Sequence, residues 1–238
     1  MMAILRVASM EFRRLWSSTM PYLTGAIFVG LSGYFFCMLL FASHHADVMP
    51  GVASSMLFFL LVVIPFLTMR IFVEDSTLGT DVLLQTLPLH VYDIVLGKYL
   101  SLLATVLLFL LATFPLPLAL VVLGDPDLGF LMGSYLSLIL FSAAVSAIGL
   151  WVSSMSRHYV VAALGAFGVL MFFWLSGAMS GLFHGFFAKL FEKVAMPNHV
   201  TLLQQGILVT EDVAYFFVLT FFFLSMTCLS VVFRRESA

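Results

Sequence analysis

The chain has 238 residues, of which 63% are hydrophobic and only 9% are charged. Because a soluble domain carries about 25% charged residues, this composition excludes a water-soluble globular protein and predicts an all-α polytopic membrane protein. The net charge of −2 gives no sign of a nucleic-acid partner, since domains that bind nucleic acid are strongly basic.

The first predicted element is an amphipathic helix over residues 4–16, "ILRVASMEFRRLW". Six of its residues lie near one helical face: Ile4, Leu5, Ala8, Phe12, Leu15 and Trp16. Its arginines suit anionic lipid headgroups, and tryptophan favours the membrane interface. We therefore expect this helix to lie on the membrane surface; a role in relaying a partner's movement is the alternative.

Six segments are apolar for about 20 residues, the length that crosses a bilayer. We predict spans at about 20–42, 51–70, 99–123, 130–154, 159–181 and 213–233. The first exceeds the 7–15 residues of a signal-peptide core, so we interpret it as a retained span. Since the connections are short, residues 1–238 are expected to form a single transmembrane domain.

Basic residues flank the spans asymmetrically. Only Lys189 and Lys193 lie on one side, whereas eight lie on the other: Arg6, Arg13, Arg14, Arg70, Lys98, Arg157, Arg234 and Arg235. Cytoplasmic loops are enriched in Lys and Arg, so both termini are predicted to be cytoplasmic. This orientation puts the loop 71–97 inside and the segments 124–129 and 182–212 outside.

The loop between the second and third spans is unusually acidic. It contains four of the twelve acids of the chain: Glu74, Asp75, Asp81 and Asp93. A short amphipathic helix is predicted at Val82–Thr86, and Pro88 ends it. A second helix is expected to begin near His90–Tyr92 and to continue into the third span. Because acids are repelled by the anionic inner leaflet, this loop indicates a cytoplasmic protein partner.

A second amphipathic segment precedes the last span. Residues 182–194, "LFHGFFAKLFEKV", place their apolar side chains on one stripe. The segment is too short to span a bilayer, so we predict a helix at the outer leaflet. It could act as an outer lid or gate, or as a passive interfacial helix.

No catalytic, cofactor or metal site is predicted. Ser32 lies in "GLSG", but every histidine lies outside the predicted spans, so no base is available within the membrane, and the glycines indicate helix packing. His44, His45 and Asp47 lack the spacing of a metal site.

The interiors of the spans contain no ionisable group that could bind a coupling ion. Pro65, Pro115 and Pro117 are expected to kink the second and third spans, which suits movement of the helices. Because the spans offer no site for a coupling ion, the energy for such movement would come from another protein.

The loop sequence "MRIFVEDSTLGTDVLLQTLPLHVYDIVLGKYL" (69–100) resembles that of ABC-2 type permeases of the GldF-like, gliding-motility kind. The family pattern is matched by Met69, Arg70, Phe72, Glu74, Asp75, Gly79, Thr80, Leu83, Leu84, Thr86, Pro88, Val95, Leu96, Gly97 and Lys98. Ser76, Thr77 and Asp81 depart from the family's usual residues. Further similarity lies in "SGYFF" (32–36), "GDPDLG" (124–129) and "QQGILVTEDVAYFF" (204–217).

The resemblance implies a non-catalytic permease subunit of an ATP-driven exporter in a bacterial inner membrane. Such permeases pair with a second, identical or different, permease, and they bind separate cytoplasmic ATPase subunits that hold ATP and magnesium. It implies a coupling helix at 80–87 and an outer helix lining the exit. The residues expected to couple to the ATPase are Glu74, Asp75, Gly79, Thr80, Leu83, Leu84 and Pro88.

Two alternatives come from other functional classes. The chain could be a membrane anchor for a cytoplasmic ATPase in motility, pilus or envelope assembly, with no substrate of its own. It could also be an intramembrane enzyme built on Ser32. The sequence does not identify a transported substrate, because an uncharged pathway is compatible with lipid, peptide, polysaccharide or drug.

Overall fold

The structure is a computed structural model that describes residues 2–43, 48–78, 90–123, 127–181 and 185–236. All regular secondary structure in these residues is α-helical. In chain order the helices are α1 (Met2–Trp16), α2 (Met20–Ser43), α3 (Met49–Leu78), α4 (Val91–Ala112), α5 (Pro115–Leu123), α6 (Leu128–Met155), α7 (Tyr159–Ser180), α8 (Phe186–Val194), α9 (Met196–Gln204) and α10 (Thr210–Glu236).

The described residues contain six stretches of helix that are long and apolar enough to cross a membrane. They are Met20–Ala42, Met49–Asp75, Val91–Val122, Leu128–Met155, Tyr159–Met179 and Thr210–Phe233. The six predicted spans are thereby confirmed. An even number of spans places both termini on one side of the membrane, and the assignment of that side to the cytoplasm stays a prediction from charge.

The fourth span, α6, lies at the centre of the bundle and is the most buried of the six. It packs on α3 and α10 along much of its length. Small residues permit this approach: a Cβ atom at Gly149 would come within 2.7 Å of the hydroxyl of Thr68 on α3. Small residues at helix contacts are typical of membrane bundles, where close van der Waals packing replaces the hydrophobic effect.

The third span is broken where the sequence places a proline. Helix α4 ends at Ala112, and α5 begins with Pro115, whose missing N–H costs nothing at a first helical position. The carbonyl of Thr113 accepts the N–H of Leu116 and the hydroxyl of Tyr135 on α6, each at 3.0 Å. Pro65, in contrast, lies inside a continuous α3. The chain is interrupted just before Pro115, where a kink was expected. Pro65 and Pro117 lie inside helices, and the kinks expected there stay predictions.

Helix α1 forms as predicted, but its buried face differs from the predicted one. Val7, Glu11 and Leu15 are buried, whereas Leu5 is 62% exposed. These three buried residues follow one another at intervals of four, so they lie on a single face. That face packs against α4, and α1 therefore belongs to the bundle in addition to any contact with lipid.

Two short helices precede the last span. The predicted amphipathic helix is present as α8 over Phe186–Val194. The second, α9, was not predicted; it begins at Met196 with a proline in its first turn. The predicted helix Val82–Thr86 and the cluster His44, His45 and Asp47 lie outside the described residues.

Candidate functional site

A fully buried lysine joins three helices at the end of the bundle where α3 stops and α4 starts. The ammonium nitrogen of Lys98 lies 2.6 Å from a carboxylate oxygen of Glu11 and 2.6 Å from one of Asp75. It also donates to the main-chain oxygen of Ile71 at 3.2 Å. An ammonium group has three N–H donors, so each donor has one acceptor. The ring of Phe72 covers the group at 5.2 Å.

Two arginines extend this arrangement toward the surface. Arg14 on α1 contacts Asp75 and lies 3.7 Å from Glu74 and 3.9 Å from Glu11. Arg70 lies 3.5 Å from Glu74, one turn further along α3. We call the six residues Glu11, Arg14, Arg70, Glu74, Asp75 and Lys98 the ion cluster. Because it contains three acidic and three basic side chains, the formal charge of the ion cluster is zero.

The sequence places each member by ordinary helical spacing. Glu11 lies midway between Val7 and Leu15 on the buried face of α1, so packing that face also buries its carboxylate. Gly97 allows α1 to approach α4, because a Cβ atom at this position would lie 2.6 Å from Cγ1 of Val7. The neighbouring Lys98 is thereby pressed against α1 and reaches Glu11.

Burial makes the ion cluster sensitive to the loss of any inner member. Lys98, Asp75 and Glu11 are at most 4% exposed, whereas the outer residues Arg14 and Glu74 are about one third exposed. Removing one partner of a buried ion pair leaves an uncompensated charge. Burial opposes the charge on Arg14, but the hydrogen bond and the charge of Asp75 outweigh it and raise the pKa of Arg14.

The ion cluster lies where the acidic loop joins the end of α3 and the start of α4. Glu74 and Asp75 lie in the last turns of α3, and Lys98 lies in the second turn of α4. A further contact joins the end of α3 to the start of α7, since the hydroxyls of Thr77 and Tyr159 lie 3.1 Å apart. Through these contacts α3 and α4, the helices on either side of residues 79–89, are joined to α1 and α7.

The sequence profile described as ABC-2 family transporter protein matches residues 8–237, which include all members of the ion cluster. The chain belongs to the ABC-2 transporter family. It is thus a multi-pass membrane protein of an ABC transporter family, in agreement with its six apolar helices. A search of curated proteins finds no match to this chain.

Two of the residues predicted to couple an ABC-2 permease to its ATPase meet in the ion cluster. Asp75 is buried against Lys98, and Glu74 lies at the more exposed edge between Arg14 and Arg70. The other predicted coupling residues lie outside the described residues: Gly79, Thr80, Leu83, Leu84 and Pro88. Their role stays a prediction.

Sequence reasoning missed Glu11 and the inner position of Lys98. One signal was available for Glu11: it is the only acid in the first 46 residues, and it lies between Val7 and Leu15 at intervals of four. Lys98 looked like an ordinary cation flanking a span. Its burial follows from the approach of α1, which hydropathy alone does not reveal.

The "GLSG" segment shows no catalytic geometry. The hydroxyl of Ser32 is buried and donates to the carbonyl of Phe28 at 2.7 Å, one turn earlier in α2. A Cβ atom at Gly30 or Gly33 would meet nothing within 4 Å in the described part of this chain, so the packing face predicted there stays a prediction. Gly177 does pack closely, because a Cβ atom there would lie 3.2 Å from that of Ala195.

Proposed function

We propose that this chain is the permease subunit of an ATP-driven exporter in a bacterial inner membrane, of the GldF-like kind. It pairs with a second permease and couples to separate ATPase subunits through residues 74–88. The observation that supports this proposal most strongly is the ion cluster, which fastens α1, α3 and α4 together at the base of the acidic loop.

The ion cluster suits the transmission of force. If α3 moved alone, Asp75 would leave Lys98, and a buried ammonium would lose an acceptor at a cost of about 3–5 kcal/mol. If α4 moved alone, Lys98 would leave Glu11 with a similar penalty. The three helices therefore move as a unit. A force on the loop therefore tilts the joined spans and does not merely displace the loop itself.

The chemistry of ATP belongs to the partner in this proposal. Magnesium and ATP are held by the ATPase subunits, and this chain contributes no catalytic group. Closure of the ATPase on ATP pushes the loop, and the bundle alternates between two global states that the ATPase biases. The break between α4 and α5 supplies a place where the third span can change direction.

The test compares adjacent arginines on α1. Arg14 belongs to the ion cluster, whereas Arg13 is exposed. The tagged chain is purified gently from its native membranes, and the co-purifying ATPase is identified. A spin label is then placed at Phe187→Cys on the exposed face of α8, and the complex is trapped with ADP and vanadate. For an exporter we expect the label to respond to trapping in the parent and in Arg13→Gln, and to respond weakly in Arg14→Gln.

Each outcome has a distinct meaning. An ATPase that co-purifies while the label ignores trapping would contradict the exporter and favour the membrane anchor. A chain that purifies alone, even under mild cross-linking, would overturn the coupling role of the loop. Equal responses in Arg13→Gln and Arg14→Gln would separate the ion cluster from coupling.

A further inference from the structure

At the end of the bundle opposite the ion cluster, side chains cap three consecutive carbonyls at the end of α8. The contacts are Asn198 Nδ2 to Glu192 O at 3.1 Å, His199 Nε2 to Lys193 O at 2.9 Å and Tyr215 hydroxyl to Val194 O at 2.7 Å. The last carbonyls of a helix have no partner within it. These three side chains, two from α9 and one from α10, therefore hold the end of α8 in place.

His199 makes a second contact with its other ring nitrogen. Nδ1 lies 2.6 Å from a carboxylate oxygen of Asp212 at the start of α10. The imidazole ring stacks on the ring of Tyr215 with centroids 4.1 Å apart. In the described residues, the titratable groups in contact with the ring are thus Asp212 and Tyr215, both on α10, while α8 contributes the main-chain oxygen of Lys193.

Both ring nitrogens of His199 face oxygen acceptors, and this fixes how many protons the pair of His199 and Asp212 must hold. A neutral imidazole has one N–H, and a carbonyl oxygen accepts but never donates. Both contacts are made together only when the pair holds one additional proton, either as imidazolium with carboxylate or as imidazole with carboxylic acid. When that proton leaves, a single N–H has two acceptors and one contact is lost.

The buried carboxylate decides which contact is lost. Asp212 is 7% exposed, and its second oxygen has no hydrogen-bond partner among the described residues. The remaining N–H is therefore needed at Nδ1, since a buried carboxylate without a donor costs more than an unpaired carbonyl near the surface. Nε2 then turns a lone pair toward Lys193 O, and the two atoms repel each other.

Helix α9 stays in position when this contact breaks, because it is fastened to the bundle elsewhere. A Cβ atom at Gly133 on α6 would lie 2.1 Å from the carbonyl of Leu203, so the two backbones touch. Ser54 on α3 donates to the side chain of Gln204 at 3.0 Å. Helix α8, in contrast, has no buried residue. Loss of the contact therefore loosens α8 and not α9, while Asn198 and Tyr215 still cap the other two carbonyls.

We propose that His199 and Asp212 form a proton-dependent clamp that fixes α8 to α9 and α10 when the pair is protonated and loosens α8 when the pair loses its proton. The loosened helix, α8, is the amphipathic helix predicted before the last span. The clamp is built from contacts within this chain alone, so it operates with or without an ATPase. It gives this end of the bundle a sensitivity to the pH of the compartment it faces.

The experiment uses the full chain in lipid nanodiscs. A spin label at Phe187→Cys reports the mobility of α8, in a background where Cys37→Ser and Cys228→Ala remove the native thiols. Spectra are recorded across about pH 5 to 8, where histidine changes charge. We expect a mobile component to grow reversibly as pH rises. The same label without ATPase keeps this test separate from the test of the proposed function.

Asn198→Ala and His199→Gln form the matched pair. Asn198 caps the carbonyl adjacent to that capped by His199, but its amide does not titrate. We expect Asn198→Ala to raise mobility at every pH and to keep the pH dependence. His199→Gln should abolish the dependence. An unresponsive parent, or an undiminished response in His199→Gln, would overturn the clamp.

Asp212→Asn gives an independent reading should His199→Gln fail to fold. Without the carboxylate charge the protonated ring is stabilised less. We therefore expect the midpoint of the mobility change to move to lower pH. A midpoint that stays in place would contradict the pairing of His199 with Asp212.

Discussion

The ammonium nitrogen of Lys98 lies 2.6 Å from a carboxylate oxygen of Glu11, although the two residues are 87 positions apart. The contact is buried on both sides and joins the first helix of the chain to its third span. A charge pair in such a place is costly to form and more costly to break. Substitutions here should therefore report how far α1 is an integral part of the bundle.

Lys98→Met should destabilise the chain strongly. It leaves Glu11 and Asp75 buried without their shared counter-ion, and breaking a buried pair costs about 3–5 kcal/mol. We expect a clear drop in the thermal unfolding temperature in detergent. Lys189→Met, on the exposed face of α8, should leave that temperature unchanged and serves as the control.

The pairing itself is tested by the double variant of Lys98→Met with Glu11→Gln. Each residue contacts the other directly, so their effects should not add. We expect the double variant to be more stable than the sum of the single losses by about 0.5–3 kcal/mol. Additive losses would mean that the two charges are stabilised separately.

Gly97→Ala should push α1 away from α4. The new Cβ would lie 2.6 Å from Cγ1 of Val7 and 3.2 Å from the backbone nitrogen of Ala8. We expect lower thermal stability, whereas alanine normally stabilises a helix interior relative to glycine by about 1 kcal/mol. Adding Val7→Ala removes the side chain that is struck first, so it should restore much of the loss.

Gly33→Ala is the control for this substitution. A Cβ atom at Gly33 meets nothing within 4 Å, so the change should be neutral or slightly stabilising. If Gly97→Ala behaved like Gly33→Ala, the close approach of α1 and α4 would be wrong.

Hydropathy and proline account for what the sequence predicts well. A span is recognised from a local run of about 20 apolar residues, and Pro115 marks the break in the third span because it cannot donate a hydrogen bond. The start of α4 near His90 was also predicted from residues that are neighbours in the sequence. Each of these features depends on neighbours along the chain.

The ion cluster depends on residues brought together from three helices, and this limited its prediction. Glu74 and Asp75 were recognised because they lie in one motif. Glu11 was not, because the predicted apolar face of α1 did not include it, and local spacing does not show what it contacts. Helix α9 was missed because Asn198 and the residues around it resemble a loop in composition, although Pro197 is a typical helix-start signal.

Ser32→Ala should leave function intact. Among the described residues, the hydroxyl of Ser32 donates to the carbonyl of Phe28 in the same helix and to no other group. A hydrogen bond of this kind contributes about 0.5–1.5 kcal/mol. We expect a small change in stability and no labelling of the parent by a serine-directed phosphonate probe. Labelling that disappears in Ser32→Ala would reinstate the intramembrane enzyme.

Tyr135→Phe should lower the stability of the junction between α4 and α5 in the third span. It removes the hydroxyl that donates to the carbonyl of Thr113. That carbonyl keeps the N–H of Leu116, so we expect the loss of one net hydrogen bond, about 0.5–1.5 kcal/mol. Thermal unfolding measures this loss. Tyr22→Phe, at an exposed position on α2, should cost little; equal losses for both would indicate that the hydrogen bond does not stabilise the break.

Glu74→Lys should uncouple the ATPase while the spans stay folded. The new cation would lie between Arg14 and Arg70, which now both face a carboxylate. Since position 74 is partly exposed, the new lysine side chain can turn its ammonium group into solvent, while the backbone of α3 and the inner pair of Lys98 with Asp75 stay in place. We expect near-normal unfolding temperature, with ATP hydrolysis that no longer moves a label at Phe187→Cys.

Glu74→Gln provides the graded comparison for this prediction. It removes the charge without adding a repelling one, so its effect on coupling should be smaller than that of Glu74→Lys. Thr80→Pro, further along the loop, should uncouple in the same way if residues 80–87 form the coupling helix. Full coupling in both Glu74→Lys and Thr80→Pro would remove the loop from the mechanism, and the ion cluster would then act only in stability.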